Sequence, residues 1–293
     1  IDNLIYTGCN NEFGYWQRND FGLLFYTSLS KTLEINFLED EEFWNIVSID
    51  DYILFQSLKK IYIYNKTSGS YNVIDSDTII YKIFKVDETI YFQKTKDGVY
   101  KIEKGKVILV SSDPILKNNR LANIFSKDGK LLIETENNGF YILHKDSLSK
   151  WNISANKILS EVSVFRSIQL RDNSFVLGTR SNGILHLTSN GEINYNVDIN
   201  HGLSNNTVHW VFEDAEDNIW VALENGINCV NIKSPFSIYT DEEGKIGTVL
   251  ASVVFNQNLY LGTNQGLFYK QVHVDEEFKL VDGIQEAVWC LVN

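Results

Sequence analysis

The chain has 293 residues, 44% hydrophobic and 13% aromatic, so it is long and apolar enough to bury a large core. Its formal net charge of −12 argues against nucleic acids and anionic membrane surfaces as partners, because both are polyanions. No apolar run approaches the roughly 18 residues of a transmembrane helix, so membrane insertion of this segment is not expected. The sequence contains no Met, and we therefore expect a fragment of a longer protein.

Apolar segments recur along the chain at a spacing of roughly 42 residues, the length of a β-propeller blade. We predict them as the inner strands of seven blades, at Phe43–Ile49, Ile80–Val86, Leu121–Ser126, Val164–Leu170, Val208–Glu213, Val249–Phe255 and Ala287–Val292. Fourth strands are predicted best at Ser70–Ile74, Lys106–Val110 and Glu192–Val197. The fold class is therefore all-β, a single seven-bladed propeller over residues 1–293 with three to four antiparallel strands per blade.

A hairpin turn follows the second strand of each predicted blade. The turns fall at Gly14, Lys60, Gly98, Gly139, Gly183, Gly226 and Gly266. Glycine permits the positive φ of a tight hairpin, so the turn at Lys60 is expected to be strained or longer.

The two ends of the chain are predicted to complete one shared blade. If Ala287–Val292 pairs with Asp2–Thr7, it supplies the missing inner strand and removes the exposed sheet edges. The alternative is a fragment that breaks a longer array at an arbitrary point. Seven inner strands and seven second strands favour closure.

The clearest repeat is Val208–Ile227, and together with the segment before it, from His201, it resembles the two component regulator propeller family. The resemblance is carried by His201-Gly-Leu-Ser-Asn-Asn-Thr-Val208, Phe212-Glu-Asp214, Asp217-Asn-Ile-Trp220 and Glu224-Asn-Gly-Ile227. Further copies are Phe175–Ile184 and Leu259–Leu267, and Asn11–Tyr15 is similar to a repeat of Bacteroidetes sensors. In this chain Asn218 stands where the family pattern has a turn glycine, and Ala222 stands where the family pattern has a glycine followed by Thr.

This resemblance implies a periplasmic sensor domain of a Bacteroidetes hybrid two-component or triple-tyrosine-motif regulator. Such a domain responds to an oligosaccharide and signals to transcription regulation through dimer packing, against itself or a neighbouring propeller or Ig-like domain. We therefore expect no enzyme activity and no cofactor. A propeller lyase or glycosidase and a ligand-free dimerisation scaffold remain the alternatives.

The sequence shows no catalytic motif and no metal-ligand spacing. The histidines lie on different blades, at His144, His186, His201, His209 and His273, and the five arginines form no motif. The Asp214–Trp220 turn has the composition of a sialidase Asp-box, but we interpret it as a β-turn whose Asp and Asn cap their own backbone. The acidic runs Glu39–Glu42, Asp241–Glu243 and Asp275–Glu277 are interpreted as solvated loops, since none has calcium-loop spacing. Cys9, Cys229 and Cys290 are expected to be buried free thiols.

A positional pattern at the inner strands predicts where a ligand binds. The second position is aromatic or His in Trp44, Tyr81, Phe165, His209 and Trp289, with polar neighbours at Asn45, Lys82, Asn123 and Arg166; Ala122 interrupts the pattern. Inner strands line the central channel, so these side chains are expected at its mouth, where aromatic faces stack on sugar rings. The competing interpretation is that the aromatic residues fill the wedges between blades. An enzyme would instead place a carboxylate pair or a His/Tyr/Arg set there.

Overall fold

The computed structural model describes residues 3–37, 40–232, 234, 239, 241, 243–272 and 276–293. These residues form seven antiparallel sheets in chain order. The sheets comprise β1 (Ile5–Cys9), β2 (Glu12–Arg18) and β3 (Leu24–Ser28); β4 (Asn45–Ile49), β5 (Tyr52–Gln56), β6 (Lys60–Asn65) and β7 (Tyr71–Asp75); β8 (Ile80–Val86), β9 (Thr89–Lys94), β10 (Gly98–Glu103) and β11 (Lys106–Ser111); β12 (Leu121–Lys127), β13 (Lys130–Thr135), β14 (Gly139–His144) and β15 (Ser147–Lys150); β16 (Val164–Gln169), β17 (Phe175–Thr179), β18 (Ile184–Leu187) and β19 (Ile193–Val197); β20 (Val208–Glu213), β21 (Ile219–Leu223) and β22 (Ile227–Val230); and β23 (Val249–Phe255), β24 (Asn258–Thr263), β25 (Gly266–Gln271) and β26 (Lys279–Leu280). The prediction of an all-β, seven-bladed propeller is confirmed.

Helices are short in the described part of the chain and lie between strands. They are α1 (Leu29–Thr32), α2 (Pro114–Asn118) and α3 (Asn156–Leu159), with a 3₁₀ turn at Ile199–His201. Asp113 caps α2 by accepting a hydrogen bond from the Ile115 backbone N–H at 2.8 Å. The predicted fourth strands are confirmed as β7, β11 and β19.

The core lies between successive sheets, because most second strands bury side chains on both of their faces; the exceptions are β1 and β21. All five residues of β17 are buried, and Phe175 packs with Phe125, Phe140 and Trp151 between the fourth and fifth sheets. A second cluster joins the fifth and sixth sheets through Val176, Val208 and neighbouring aliphatic side chains. Apolar burial on this scale supplies the main driving force for the ring.

Close approach of blades requires glycine at one position of the second strand. Gly178 pairs with Arg166, and a Cβ built on it would lie 2.5 Å from Val208 Cγ1 of the next sheet. Its counterpart in the sixth sheet is Ala222, which pairs with Trp210. The sixth blade therefore accommodates a methyl group where the fifth cannot.

We expect Gly178→Ala to lower the free energy of unfolding by about 1–3 kcal/mol, because the new methyl group overpacks the contact with Val208. The matched control is Ala222→Gly, which is expected to cost no more than about 1 kcal/mol. Urea denaturation of both variants checks this. Equal stabilities of Gly178→Ala and the natural chain would contradict close packing at this interface.

The predicted pairing of the two chain ends is wrong for the described residues. Residues 281–293 form no strand, and β1 pairs with β2 alone, so the first sheet lacks an inner strand. Val288 does donate its backbone N–H to Thr263 O at 2.9 Å, which holds it against the seventh blade. Beyond Val288, the described residues supply no backbone hydrogen bond to continue the strand. Asp2, part of the predicted pairing, lies outside the described residues.

Two predicted turns also differ from expectation. Lys60 begins β6 without positive φ, after a loop of the same length as the one between β9 and β10, so its turn is neither strained nor longer. Gly14 lies inside β2, and Asn11, with φ of 52°, forms the turn instead. Asparagine tolerates this left-handed conformation better than most residues, which is why the glycine pattern shifts here.

The three cysteines are free, as predicted, but exposed, which corrects the expectation that they are buried. Cys229 alternates with inward-facing residues on β22, a strand with only one neighbour in its three-stranded sheet. Cys9 ends β1, and Cys290 follows the last backbone contact of the chain. Apolar flanking residues therefore did not predict burial at sheet edges.

Only part of each acidic run can be placed. Glu41 accepts hydrogen bonds from Lys60 Nζ at 2.6 Å and Tyr62 Oη at 3.0 Å, so it is a structural residue rather than a solvated one. Asp241 caps the backbone N–H groups of residues 245–247. Glu39, Glu242 and Asp275 lie outside the described residues, as does His273.

Candidate ligand-binding site at the channel mouth

Five of the six described inner strands share one irregularity, a β-bulge next to their first residue, whereas β4 pairs without one. In β12, β16, β20 and β23 one residue is skipped in the pairing with the second strand, and in β8 two residues oppose one. The bulged residues are Tyr81, Lys82, Ala122, Phe165, His209 and Leu250. Bulges re-aim side chains and are common beside functional sites. They fall at the second position of the inner strands, where the sequence pattern predicted binding residues.

Phe165, the bulged residue of β16, carries three cations on its ring. Arg180 Cζ lies 4.3 Å from the ring centroid, Lys82 Nζ 4.8 Å and Arg166 Cζ 5.3 Å. A cation over an aromatic face is attracted by the ring quadrupole, and more strongly where water is excluded. His209 meets the same ring edge-on at a centroid distance of 6.4 Å.

Arg166 reaches across the ring of blades. Its Nη1 donates to Asn45 Oδ1 of β4 at 3.3 Å, although the second and fifth sheets are not neighbours. The contact therefore crosses the central channel. Asn45 is held by donating to Gln56 Oε1 at 2.6 Å and to Tyr81 O at 3.3 Å, and Trp210 covers the Arg166 guanidinium at 4.7 Å.

Two further arginines share a single carboxylate beside this contact. Glu136 follows β13, and its side chain is only 8% exposed. It lies 3.6 Å from Arg120 Nη1 and 3.8 Å from Arg180 Nη2, while the Arg120 guanidinium stacks 3.4 Å from the Tyr81 ring centroid. Backbone hydrogen bonds fix the positions, since Glu136 N donates to Arg120 O and Arg180 N to Ser163 O.

The floor of the site is buried and polar. Lys82 Nζ donates to Ala122 O at 3.4 Å and to Phe165 O, and desolvation, followed by repulsion from Arg166, lowers the pKa of Lys82 to about 7. Glu134 has no exposed surface, and burial raises its pKa to about 8 against the hydrogen bond that it accepts from Ser167. Burial also lowers the pKa of Arg166 to about 10.

Glutamine in place of Glu134 is expected to change how stability depends on pH. The raised pKa means that folded Glu134 holds its proton from pH 4.5 to about 8, so its stabilisation is present at low pH and lost as pH rises through that window. Between pH 5 and 7 the natural chain should therefore lose about 2–3 kcal/mol of unfolding free energy relative to Glu134→Gln. Urea denaturation across this range measures the difference. Parallel stability curves for the two chains would contradict the burial of an uncharged carboxyl.

The site is called the channel-mouth cluster below, and it comprises Asn45, Tyr81, Lys82, Arg120, Glu134, Glu136, Phe165, Arg166, Arg180 and Trp210. Of the predicted residues, Asn45, Tyr81, Lys82, Phe165 and Arg166 come together here, with His209 at the rim. Asn123 donates to Ser167 O at 2.6 Å and lies on the neighbouring strand. Trp44 is 56% exposed in the loop before β4, and Trp289 is 74% exposed because its segment forms no strand. Within the described part of the chain, neither tryptophan side chain makes a hydrogen bond or a ring contact with the cluster.

Sequence reasoning predicted Arg166 but missed the other two arginines and both carboxylates of the cluster. Arg120 stands immediately before an inner strand, and Glu136 and Arg180 stand immediately after consecutive second strands. These two positions recur in every blade, so aligning the repeats at the end of the second strand would have brought Glu136 and Arg180 to one face. Three of the five arginines lie together in space, which corrects the prediction that they form no motif.

The Asp214–Trp220 turn, by contrast, is a structural turn as predicted. Asp214 accepts hydrogen bonds from Trp220 Nε1 at 2.8 Å and from the backbone N–H groups of Glu216 and Asn218 at 2.9 Å. These bonds, that of Trp220 foremost, lower the pKa of Asp214 to about 2. Among the described residues, no three His, Cys, Asp or Glu side chains group closely enough to hold a metal ion, and no helix has the length and apolarity to cross a membrane.

Comparisons with known proteins agree with this architecture. Residues 202–225 match the family described as "Two component regulator propeller". Over 241 residues the chain is 25% identical to Histidine kinase P4 of Formosa agariphila. The alignment covers 73% of this chain and 17% of that protein.

Two solved structures from B. thetaiotaomicron share the propeller fold. The extracellular domain of a putative hybrid two component system superimposes with a TM-score of 0.64 at 16% identity, over 98% of this chain and 40% of that one. The extracellular domain of a putative one component system superimposes with a TM-score of 0.59 at 18% identity, over 92% of this chain and 37% of that one. The chain therefore spans less than half of these domains and a smaller part of the kinase.

Proposed function

Because the chain carries a repeat of the two component regulator propeller family, we propose that it is the ligand-binding propeller of an extracytoplasmic sensor in a bacterial regulator of transcription. The ligand is a glycan oligosaccharide, bound in the periplasm at the channel-mouth cluster. The proposal rests on the position of Phe165. This bulged aromatic residue lies where side chains of the second, third, fourth and fifth sheets meet. Phe165 is half-buried, and an aromatic face beside hydrogen-bonding groups suits a sugar ring, whose C–H face packs on a π surface.

Thermal-shift screening of the 293-residue chain against neutral and acidic oligosaccharides tests this function. A ligand that binds the folded state alone at 100 times its Kd adds about 2.7 kcal/mol of stability and raises the Tm. A panel in which no glycan raises the Tm would contradict the glycan-binding function.

The propeller signals by changing how it packs on a second copy or on a neighbouring propeller or Ig-like domain of the same protein. A rigid ring transmits a signal only if the ligand binds two packing arrangements unequally. Light scattering of the chain with and without its ligand measures whether the ligand changes self-association. An unchanged molar mass at saturating ligand would argue against self-association as the response.

An enzyme is the second candidate, because arginines and carboxylates do lie together at the channel mouth. The two carboxylates, however, are poorly presented for acid–base chemistry on a sugar. Glu134 has no exposed surface, and Glu136 is shared by two arginines. Binding is therefore favoured, and the test is chromatography of each oligosaccharide after prolonged incubation. Shortened or unsaturated products would favour the enzyme.

A further inference from the structure

We propose that the channel-mouth cluster takes an acidic sugar, an oligosaccharide whose carboxylate or sulfate ester lies against the guanidinium groups of Arg120, Arg166 and Arg180. The inference rests on the proposed function and names the substrate class of the same site. The inference is based on the number of cationic side chains in the cluster, because a neutral sugar would need none of them.

The local charge is opposite to that of the whole chain. The chain carries a formal charge of −12 and has five arginines, yet three of those arginines and Lys82 meet within one cluster. Two carboxylates face them, and Glu134, with its pKa near 8, is largely uncharged at neutral pH. Lys82, with its pKa near 7, is only partly charged there, but the three arginines still outnumber the Glu136 carboxylate, and an anionic ligand would offset that surplus of positive charge.

The arginines retain unused hydrogen-bond donors. A guanidinium has five N–H donors arranged in a plane. Among the described residues, the three groups together make one side-chain hydrogen bond, from Arg166 to Asn45, and Arg166 Nε is buried without a partner. The two contacts to Glu136, at 3.6 and 3.8 Å, are longer than a hydrogen bond. Donors are therefore left for the oxygen atoms of a ligand.

The aromatic rings orient these donors. Arg120 stacks on Tyr81, Arg166 on Trp210 and Arg180 on Phe165. Stacking covers the flat face of a guanidinium and leaves its N–H edge open, and that edge matches a carboxylate or sulfate in two-point geometry. Arg180 is 46% exposed and Arg120 34%, so the edge is reachable from solvent.

Lys82 couples this binding to pH. It is faced by Arg166, Arg120, Glu136 and Glu134, and the His209–Glu224 pair lies at the rim near Phe165. An anion beside Lys82 favours its protonated form, so affinity for an acidic sugar should fall as pH rises through about 7. Ionisation of Glu134 above pH 8 acts in the same direction. A neutral sugar should show neither dependence.

The test is calorimetric titration of the 293-residue chain with tetragalacturonate, a sulfated carrageenan tetrasaccharide and cellotetraose as the neutral probe. We expect one acidic probe to bind, with affinity that falls with salt and with rising pH, and cellotetraose to bind at least about tenfold more weakly. The acidic probe with the higher affinity shows whether the site prefers a carboxylate or a sulfate ester.

Variants locate the bound anion. Arg180→Gln and Arg166→Gln are expected to weaken the acidic probe about tenfold or more, whereas Arg18→Gln, on β2 away from the cluster, should leave binding unchanged. Circular dichroism melting of each variant separates loss of binding from unfolding, and Arg180, being half exposed, is the safer of the two substitutions.

Three outcomes overturn the inference: no binding by either acidic probe, acidic binding that both folded arginine variants retain, or equal binding of cellotetraose. A neutral glycan that binds while both acidic probes fail would leave the proposed function standing. Failure of every glycan would remove both.

Discussion

Replacing Phe175 with alanine is expected to lower the free energy of unfolding by about 3–5 kcal/mol, the usual cost of deleting a fully buried aromatic side chain. Phe175 has no exposed surface, and its ring centroid lies 5.2 Å from that of Phe125, 5.8 Å from Phe140 and 6.2 Å from Trp151. The deletion opens a cavity between the fourth and fifth sheets. Urea denaturation measures the loss.

Phe255→Ala is the matched control, because Phe255 ends β23 and is 47% exposed. It should cost about 1 kcal/mol or less. If the two substitutions cost the same, the wedge between the fourth and fifth blades is not the packed core that the structure describes.

Replacing Phe165 with leucine is expected to weaken the strongest oligosaccharide of the thermal-shift panel by about tenfold or more. Leucine keeps the apolar volume but removes the π face that three cations and the sugar ring contact, and contacts of this kind contribute about 1–2 kcal/mol. Isothermal titration of both chains gives the ratio of Kd values.

Phe21→Leu is the control for Phe165→Leu, since Phe21 is 88% exposed in the turn between β2 and β3. It should leave Kd unchanged. The channel-mouth site is refuted if Phe165→Leu remains folded and binds the same sugar with the natural affinity.

Much of the fold follows from local sequence. The inner strands β8, β20 and β23 begin and end at the predicted residues, because each is an apolar segment bounded by polar turn residues. The bulges of β8, β16 and β20 sit at the second position of each strand, so the repeat alone located Tyr81, Phe165 and His209 at one end of the ring.

The inner-strand pattern predicted Lys82 and Arg166, but it did not predict their contacts or the remaining charged residues of the site. Arg166 and Asn45 are 121 positions apart, and their contact depends on the curvature of the whole ring. The chemistry of Arg120, Glu136 and Arg180 likewise appears only when two consecutive blades are placed side by side.

Burial at the ends of the array was also unpredictable from pattern. Ala287–Val292 has the pattern of an inner strand, and β1 has an open edge in the first sheet, but the backbone hydrogen bonding of this segment to the described residues stops at Val288, on the seventh sheet. The apolar neighbours of Cys290 therefore remain largely in solvent. Sequence periodicity specifies which residues fit a strand, and neighbouring sheets decide whether it forms.

A crystal structure of the chain with its strongest oligosaccharide would show directly where the ligand binds. We expect a sugar ring packed on Phe165 and an anionic group of the ligand within about 3 Å of the Arg166 or Arg180 guanidinium. A ligand bound on the outer faces of the blades, with the channel-mouth cluster unchanged and unoccupied, would contradict this expectation.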